Sequence, residues 1–256
     1  MTPGEKGWGI ALEDNDMERD MNSASPVRWK RQTLAILLFG ISFGYVEAAV
    51  VTYLRPQFDA LRATFAPQSR DLFPMPSPQQ IRAAGPDMVR LVGTEVAREA
   101  ATLLMLGAVA ATVGGNFRQC LAFFLLAFGA WDISYYAFLK VLIDWPKSLL
   151  TWDVLFLIPV PWSAPVLAPA LVALTMIGTG LVYLWRESNG HAIPLRVVHW
   201  LGAYAGALFV VAAFTWDYRN VMAGGMPKPF HWSLFALGEV LWVTTFLHGL
   251  SARASQ

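Results

Sequence analysis

One cysteine in 256 residues, Cys120, leaves the chain without an internal disulfide or a thiolate cluster. Charge is scarce as well. Only 14% of the residues are Asp, Glu, Lys or Arg, against about a quarter in a typical soluble domain. A formal net charge of +1 argues neither for nucleic acid nor for a strongly acidic partner. Missing too are CxxCH, HExxH, a GxxxxGK(S/T) loop and a credible Rossmann glycine pattern. These absences remove covalent haem proteins, zincins, P-loop NTPases and dinucleotide-binding enzymes without supplying another class. Residues 1–32 lack the apolar core and small-residue cleavage site of a secretory signal. They are polar and acidic at first, then basic in "VRWKRQ", and are expected to form a flexible cytoplasmic arm.

What the chain has in abundance is apolar length. Hydrophobic residues make up 55% of it, and a transmembrane helix needs about 20 of them in a row. Six segments qualify: 33–54, 91–113, 119–143, 165–186, 197–215 and 230–249. The fold class expected is therefore all-α, a polytopic membrane protein with one domain over 33–250 and a short tail, 251–256. Trp29, Trp162, Trp185, Trp200, Trp216 and Trp232 fall near the ends of these spans, where an interfacial aromatic belt belongs.

Two connections are more than linkers. Residues 55–90 carry Pro56, Pro67, Pro74, Pro76, Pro78 and Pro86, and are expected to hold a short helix and extended pieces lying on the surface. The run "SLLTWDVLFLI" (148–158) is apolar but too short to span, and "PVPWSAP" then breaks it. This predicts a re-entrant or interfacial segment between spans 3 and 4, acting as a lid. Basic residues do not decide orientation by number. The tight group Arg28, Lys30 and Arg31 before the first span places both termini in the cytoplasm of a bacterial inner membrane.

Charges sit inside these apolar stretches. In "TEVAREAATLLML", Glu95, Arg98, Glu99 and Thr102 are spaced by three and four and share one helix face. At 1.5 Å per residue, Glu99 lies roughly 12 Å in from the outer end of its span, Glu47 roughly 10 Å, Asp132 roughly 16 Å and Glu239 roughly 13 Å. Helices running in opposite directions thus put acids at comparable depth. Gly40 and Gly44 form a GxxxG on the face of Glu47, which suits packing on another helix. Tyr135 and Tyr136 follow Asp132 at i+3 and i+4 and offer hydroxyls to it. Ionisable residues at such depth face a bundle interior or a water-filled cavity. Glu47, Glu95, Glu99, Asp132 and Glu239 face a single base, Arg98, so some must hold protons or share a cation. Arg98 can bridge two carboxylates. The plainer alternative is a set of structural ion pairs and protonated acids without a functional cavity.

His199 opens the fifth span and His248 closes the sixth, on the cytoplasmic side. Antiparallel neighbours bring such residues together, and a histidine pair can hold a b-type haem; histidines bonded to water or headgroups are the commoner case. A cation bound by the acids would be Mg, Ca or Mn, given oxygen-only ligands.

The stretch "WDISYYAFLKVLIDWPKSLLTWDVLFLIPVPWSAPVLAP" (131–169), with "GYVEAAV" before it and "AGGMPKPFHWSLFALGE" after it, resembles a recurring set of bacterial six-helix integral membrane proteins. The resemblance implies a shared fold and brings no activity, so no residue role comes with it. From the residues, the leading reading is a proton- or cation-linked small-solute pathway. Glu47, Glu99, Asp132 and Glu239 would form its exchange site, Arg98 would tune them, and 148–162 would gate it. The alternative is a non-catalytic membrane subunit, with protein partners in an electron-transfer complex. An enzyme ranks below both, because no nucleophile or cofactor motif supports one.

Overall fold

The computed structural model describes residues 26–69, 71–191 and 193–251. Most of the expected arm (1–25) and most of the tail (252–256) lie outside the described residues. The helices are α1 (Pro26–Phe65), α2 (Pro78–Ala83), α3 (Pro86–Val113), α4 (Phe117–Ile143), α5 (Leu167–Ser188), α6 (Val197–Thr215), α7 (Tyr218–Met222) and α8 (Trp232–Ser251). Between α4 and α5 stand two short strands, β1 (Trp152–Phe156) and β2 (Trp162–Pro165). Six of the helices, α1, α3, α4, α5, α6 and α8, are long and apolar enough to cross a membrane. Each presents large apolar side chains outward, Leu38, Leu104, Val141, Leu174, Leu208 and Val240 among them, as lipid-facing helices do.

The first helix runs farther than expected. It begins at Pro26, so the basic "VRWKRQ" forms its opening turns, and it passes through Pro56 to Phe65. Pro56 was reason enough to end a span near residue 54. The helix continues through it, and Asp59 pairs with Arg62 at 2.5 Å and with Arg55 at 3.7 Å across the following turn. The buried Arg62 also donates from Nε to the Pro74 carbonyl at 3.3 Å, tying down the extended chain that follows. Ser77 caps α2 in a capping box with Gln80, the arrangement that suits a short surface helix.

Close glycine contacts set the helix packing. A Cβ on Gly40 would fall 2.7 Å from the Ala127 carbonyl, and one on Gly44 would fall 2.7 Å from the Trp131 carbonyl. The GxxxG face therefore lies directly on the backbone of α4, with the two helices running in the same direction. Gly129 and Gly180 do the same between α4 and the antiparallel α5. Gly206 and Gly238 meet each other, so α6 and α8 form a tight antiparallel pair. That pair packs far more on itself than on α5. The space left between it and the α1–α3–α4–α5 group is where the site lies.

The expected lid is a β-hairpin. Trp152 pairs with Pro165, Asp153 with Ala164 and Val154 with Ser163, and a bulge precedes the Phe156–Trp162 pair. Its tip carries Pro159 and Pro161, which forbid continuous helix. Strand β2 packs against α5 and α6, so this backbone sits within protein, as non-helical chain near a membrane must.

Candidate functional site

A cavity of about 480 Å³ opens between the two helix groups, roofed by the hairpin. Glu47, Glu95, Arg98, Glu99, Asp132, Tyr135, Tyr136 and Glu239 all line it. Residues from α1, α3, α4 and α8, separated by up to 192 positions in sequence (239 minus 47), thus share one chamber. The hairpin adds a further acid, Asp153.

The chemistry is ordered around Arg98. Its guanidinium grips Glu95 from α3 in bidentate fashion, Nε to Oε2 at 2.9 Å and Nη2 to Oε1 at 2.6 Å. Its remaining arm donates to Glu47 of α1. Thr102, one turn on, donates to the other oxygen of Glu47 at 2.5 Å. The i, i+3 and i+4 spacing on α3 thus meets a carboxylate projected from a second helix. Glu95 lines the cavity wall, its side chain only 12% exposed. Glu99 turns the other way and accepts the Leu157 backbone N–H at 2.8 Å, which ties the hairpin tip to α3. Glu239 of α8 accepts from Thr175 of α5 at 2.6 Å, one of the few polar ties across the gap between helix groups.

Asp132 differs from all of these. It is 8% exposed, it lines the cavity, and among the described residues no donor reaches its carboxylate. The tyrosines following it do not supply one. Tyr136 instead donates to Asp153 at 2.8 Å. A tyrosine hydroxyl sits at the far end of a rigid ring, beyond a short Asp side chain one turn away, and it reaches the hairpin instead. Asp153, 2% exposed, also accepts the Val154 N–H at 2.8 Å. Burial drives its carboxyl from 3.8 up to about 7, against the pull of those two hydrogen bonds.

Six carboxyl groups and one guanidinium therefore face one space whose other walls are mostly aromatic and aliphatic. Trp131 and Trp162 belong to those walls, and each leaves its indole N–H buried without an acceptor. Trp162 thus leaves the expected interfacial belt, whereas Trp185 and Trp216 stand well exposed at helix ends, as that belt requires. Asp153 is the acid that sequence reasoning missed. The signal was there: it is the one charged residue in "SLLTWDVLFLI".

Two further spaces adjoin the chamber. One of about 360 Å³, toward α2 and the hairpin tip, shares Glu95, Glu99, Tyr135 and Asp153 with it. Another of about 100 Å³, at the opposite end, shares Leu121, Leu125 and Trp242. Trp242 donates to Thr179 at 3.2 Å, fixing that partition.

His199 and His248 lie past this second partition and do meet. His199 Nδ1 accepts the Arg196 N–H at 2.9 Å, so its proton is on Nε2, 3.0 Å from Nδ1 of His248. Both nitrogens of His199 are occupied, the rings touch, and the adjoining space is far too small for a porphyrin. The pair does not fit a haem. Nor do the acids form a cage for Mg, Ca or Mn. Among the described residues, no three His, Cys, Asp or Glu side chains converge in a way that could hold a metal ion, where Ca needs six to eight oxygens and Mg a near-ideal octahedron.

These features define a polytopic all-α membrane protein with an acid-lined chamber inside its bundle. No known protein family, curated protein or solved structure matches the chain.

Proposed function

We propose that the chain is a proton- or cation-linked pathway for a small solute across the bacterial cytoplasmic membrane, with both termini in the cytoplasm. The observation that supports it most is Asp132: a buried carboxyl group with no donor among the described residues, facing a chamber already rich in acid. A purely structural acid would be tied by hydrogen bonds, as Glu47 is. In this reading the chamber is the exchange site. Glu95, Glu99, Tyr135 and Asp153 form the partition toward the hairpin end, and Trp242 with Thr179 forms the one toward the other end. Glu99 couples proton binding to release of the hairpin tip. Adding a proton to it weakens its hold on the Leu157 N–H and frees the hairpin tip. Arg98 keeps Glu47 and Glu95 as a fixed wall.

Reconstitution tests this. Proteoliposomes carrying a potassium-diffusion potential and an internal pH dye, with Na⁺, Mg²⁺ or small amines outside, should change internal pH faster than protein-free vesicles in the same medium. Glu99→Gln and Asp132→Asn should each lower that rate by roughly tenfold or more while leaving melting temperature nearly unchanged, as expected for intramembrane acids on an ion route. Variants that conduct as well as the parent would overturn the reading and leave the acids as structural groups.

A further inference from the structure

The composition of the chamber points to the solute. A metal ion wants several oxygens converging on one point, and here the acids are spread around the walls, each but Asp132 held by a neighbour. Asp132, the one chamber acid with no donor among the described residues, projects from the same helix as Trp131 and Tyr135, whose rings stack at 6.3 Å. Phe128 packs edge-on to Trp131 at 5.2 Å, and Phe156 of the hairpin lies 6.3 Å from Trp131 on the same wall. An unpartnered acid in a chamber whose walls carry these rings is what a protonated amine with a hydrophobic body requires. Its N–H groups donate to the carboxylate, its charge is drawn to the ring faces, and its body fills an apolar space. At about 480 Å³ the chamber is of the size that takes a drug-like or metabolite-like molecule. An inorganic cation would leave most of it empty.

We propose that the chamber binds a lipophilic organic ammonium ion, seated with its nitrogen at Asp132 and its apolar part against Trp131, Phe128 and Phe156. The other acids contribute the negative field that selects a cation over a neutral analogue, and the charge of Arg98 is offset by Glu47 and Glu95. This deepens the pathway reading and rests on it for biological meaning, but binding is measured separately from flux.

The test uses the full chain in lipid nanodiscs, titrated calorimetrically with 2-phenylethylammonium chloride. The neutral match is 2-phenylethanol, the ringless match is n-butylammonium, and empty nanodiscs correct for partitioning. The ammonium should bind saturably and roughly thirtyfold or more tighter than the alcohol, as expected for a desolvated charge pair. n-Butylammonium should be weaker than the aromatic amine by roughly tenfold, and Asp132→Asn should erase the preference for charge. Equal binding of amine and alcohol, or displacement of the amine by millimolar Mg²⁺, overturns the proposal whether or not the Asn variant folds. Binding without proton flux would keep this site and discard the pathway. Flux without amine binding would do the reverse.

Discussion

Arg98 is the residue on which the charge arrangement turns. It touches Glu47 and Glu95 at once, with its own side chain 25% exposed and Glu47 only 4%. Removing one partner of a buried pair leaves an uncompensated charge, and such breaks cost about 3–5 kcal/mol. Arg98→Met should therefore lower the melting temperature markedly in a detergent thermal-shift measurement. Adding Glu47→Gln should restore a large part of the loss, since an amide needs no counter-charge. Full stability in Arg98→Met alone would mean that lipid headgroups or water already neutralise the acids. Asp153 makes a pH prediction. Its carboxyl titrates at about 7 in the folded chain and at 3.8 as an ordinary aspartate, chiefly through burial. The folded state thus holds this proton to higher pH than the unfolded one. The contribution to stability is complete at acid pH and is lost as pH rises through about 4 to 7. The drop in melting temperature between about pH 5 and about pH 8 should be smaller in Asp153→Asn than in the parent. An identical drop in the two would remove Asp153 from the account.

At the scale of elements, glycines separate contact from filler. A Cβ at Gly44 would press on the Trp131 carbonyl and the Tyr135 amide, 2.7 and 2.9 Å away, whereas one at Gly107 of α3 meets nothing within 4 Å. Gly44→Ala should push α1 off α4 and lower both yield and melting temperature. Gly107→Ala should stabilise by about 0.5–1 kcal/mol, the helical cost of glycine. Equal effects of the two would contradict the packing. The GxxxG that predicts this contact was legible in the sequence, as were the six spans and the shared face of Glu95, Arg98, Glu99 and Thr102, because helix periodicity is a local property. What joins the acids is not local. Nothing in a one-dimensional pattern says that Arg98 chooses Glu47 over Glu99, or that Tyr136 passes Asp132 for Asp153. Those choices are made by the distance between helix axes and by a hairpin folded over them. The hairpin itself was legible only as an apolar run too short to span. Its strands come from pairing with a segment beyond two prolines, which a hydropathy reading treats as a break. The reach of α1 past Pro56 escaped for a similar reason: the proline signal is local, whereas the contact of Arg62 with the Pro74 carbonyl, which anchors the helix end, spans twelve positions.

The whole molecule raises the question of sidedness, since the proposed pathway has meaning only relative to two compartments. Parallel packing of α1 on α4, antiparallel packing of α4 on α5 and of α6 on α8, and the Thr175–Glu239 and Thr179–Trp242 bonds that set α8 parallel to α5 bring Lys30 and Ser251 to one end and Lys147 to the end with the hairpin. The bases at the hairpin end are largely matched by aspartates: Asp144 holds Lys140 and Lys147 at 2.6 and 2.5 Å, and Asp217 lies 3.8 Å from Lys228. Those pairs keep the exposed Asp144 carboxyl down at about 2, so it stays ionised across the physiological range. The group before the first span, with Lys30 and Arg31 exposed, is the one expected to stay on the cytoplasmic side. Single cysteines in a Cys120→Ser background report this directly. A membrane-impermeant maleimide should label Lys147→Cys in intact cells, and Lys30→Cys and Ser251→Cys only after permeabilisation. Reversal at all three positions would invert the pathway, placing the hairpin gate in the cytoplasm. Labelling that separates Lys30 from Ser251 would require an odd number of crossings, and with it a different bundle around the acids.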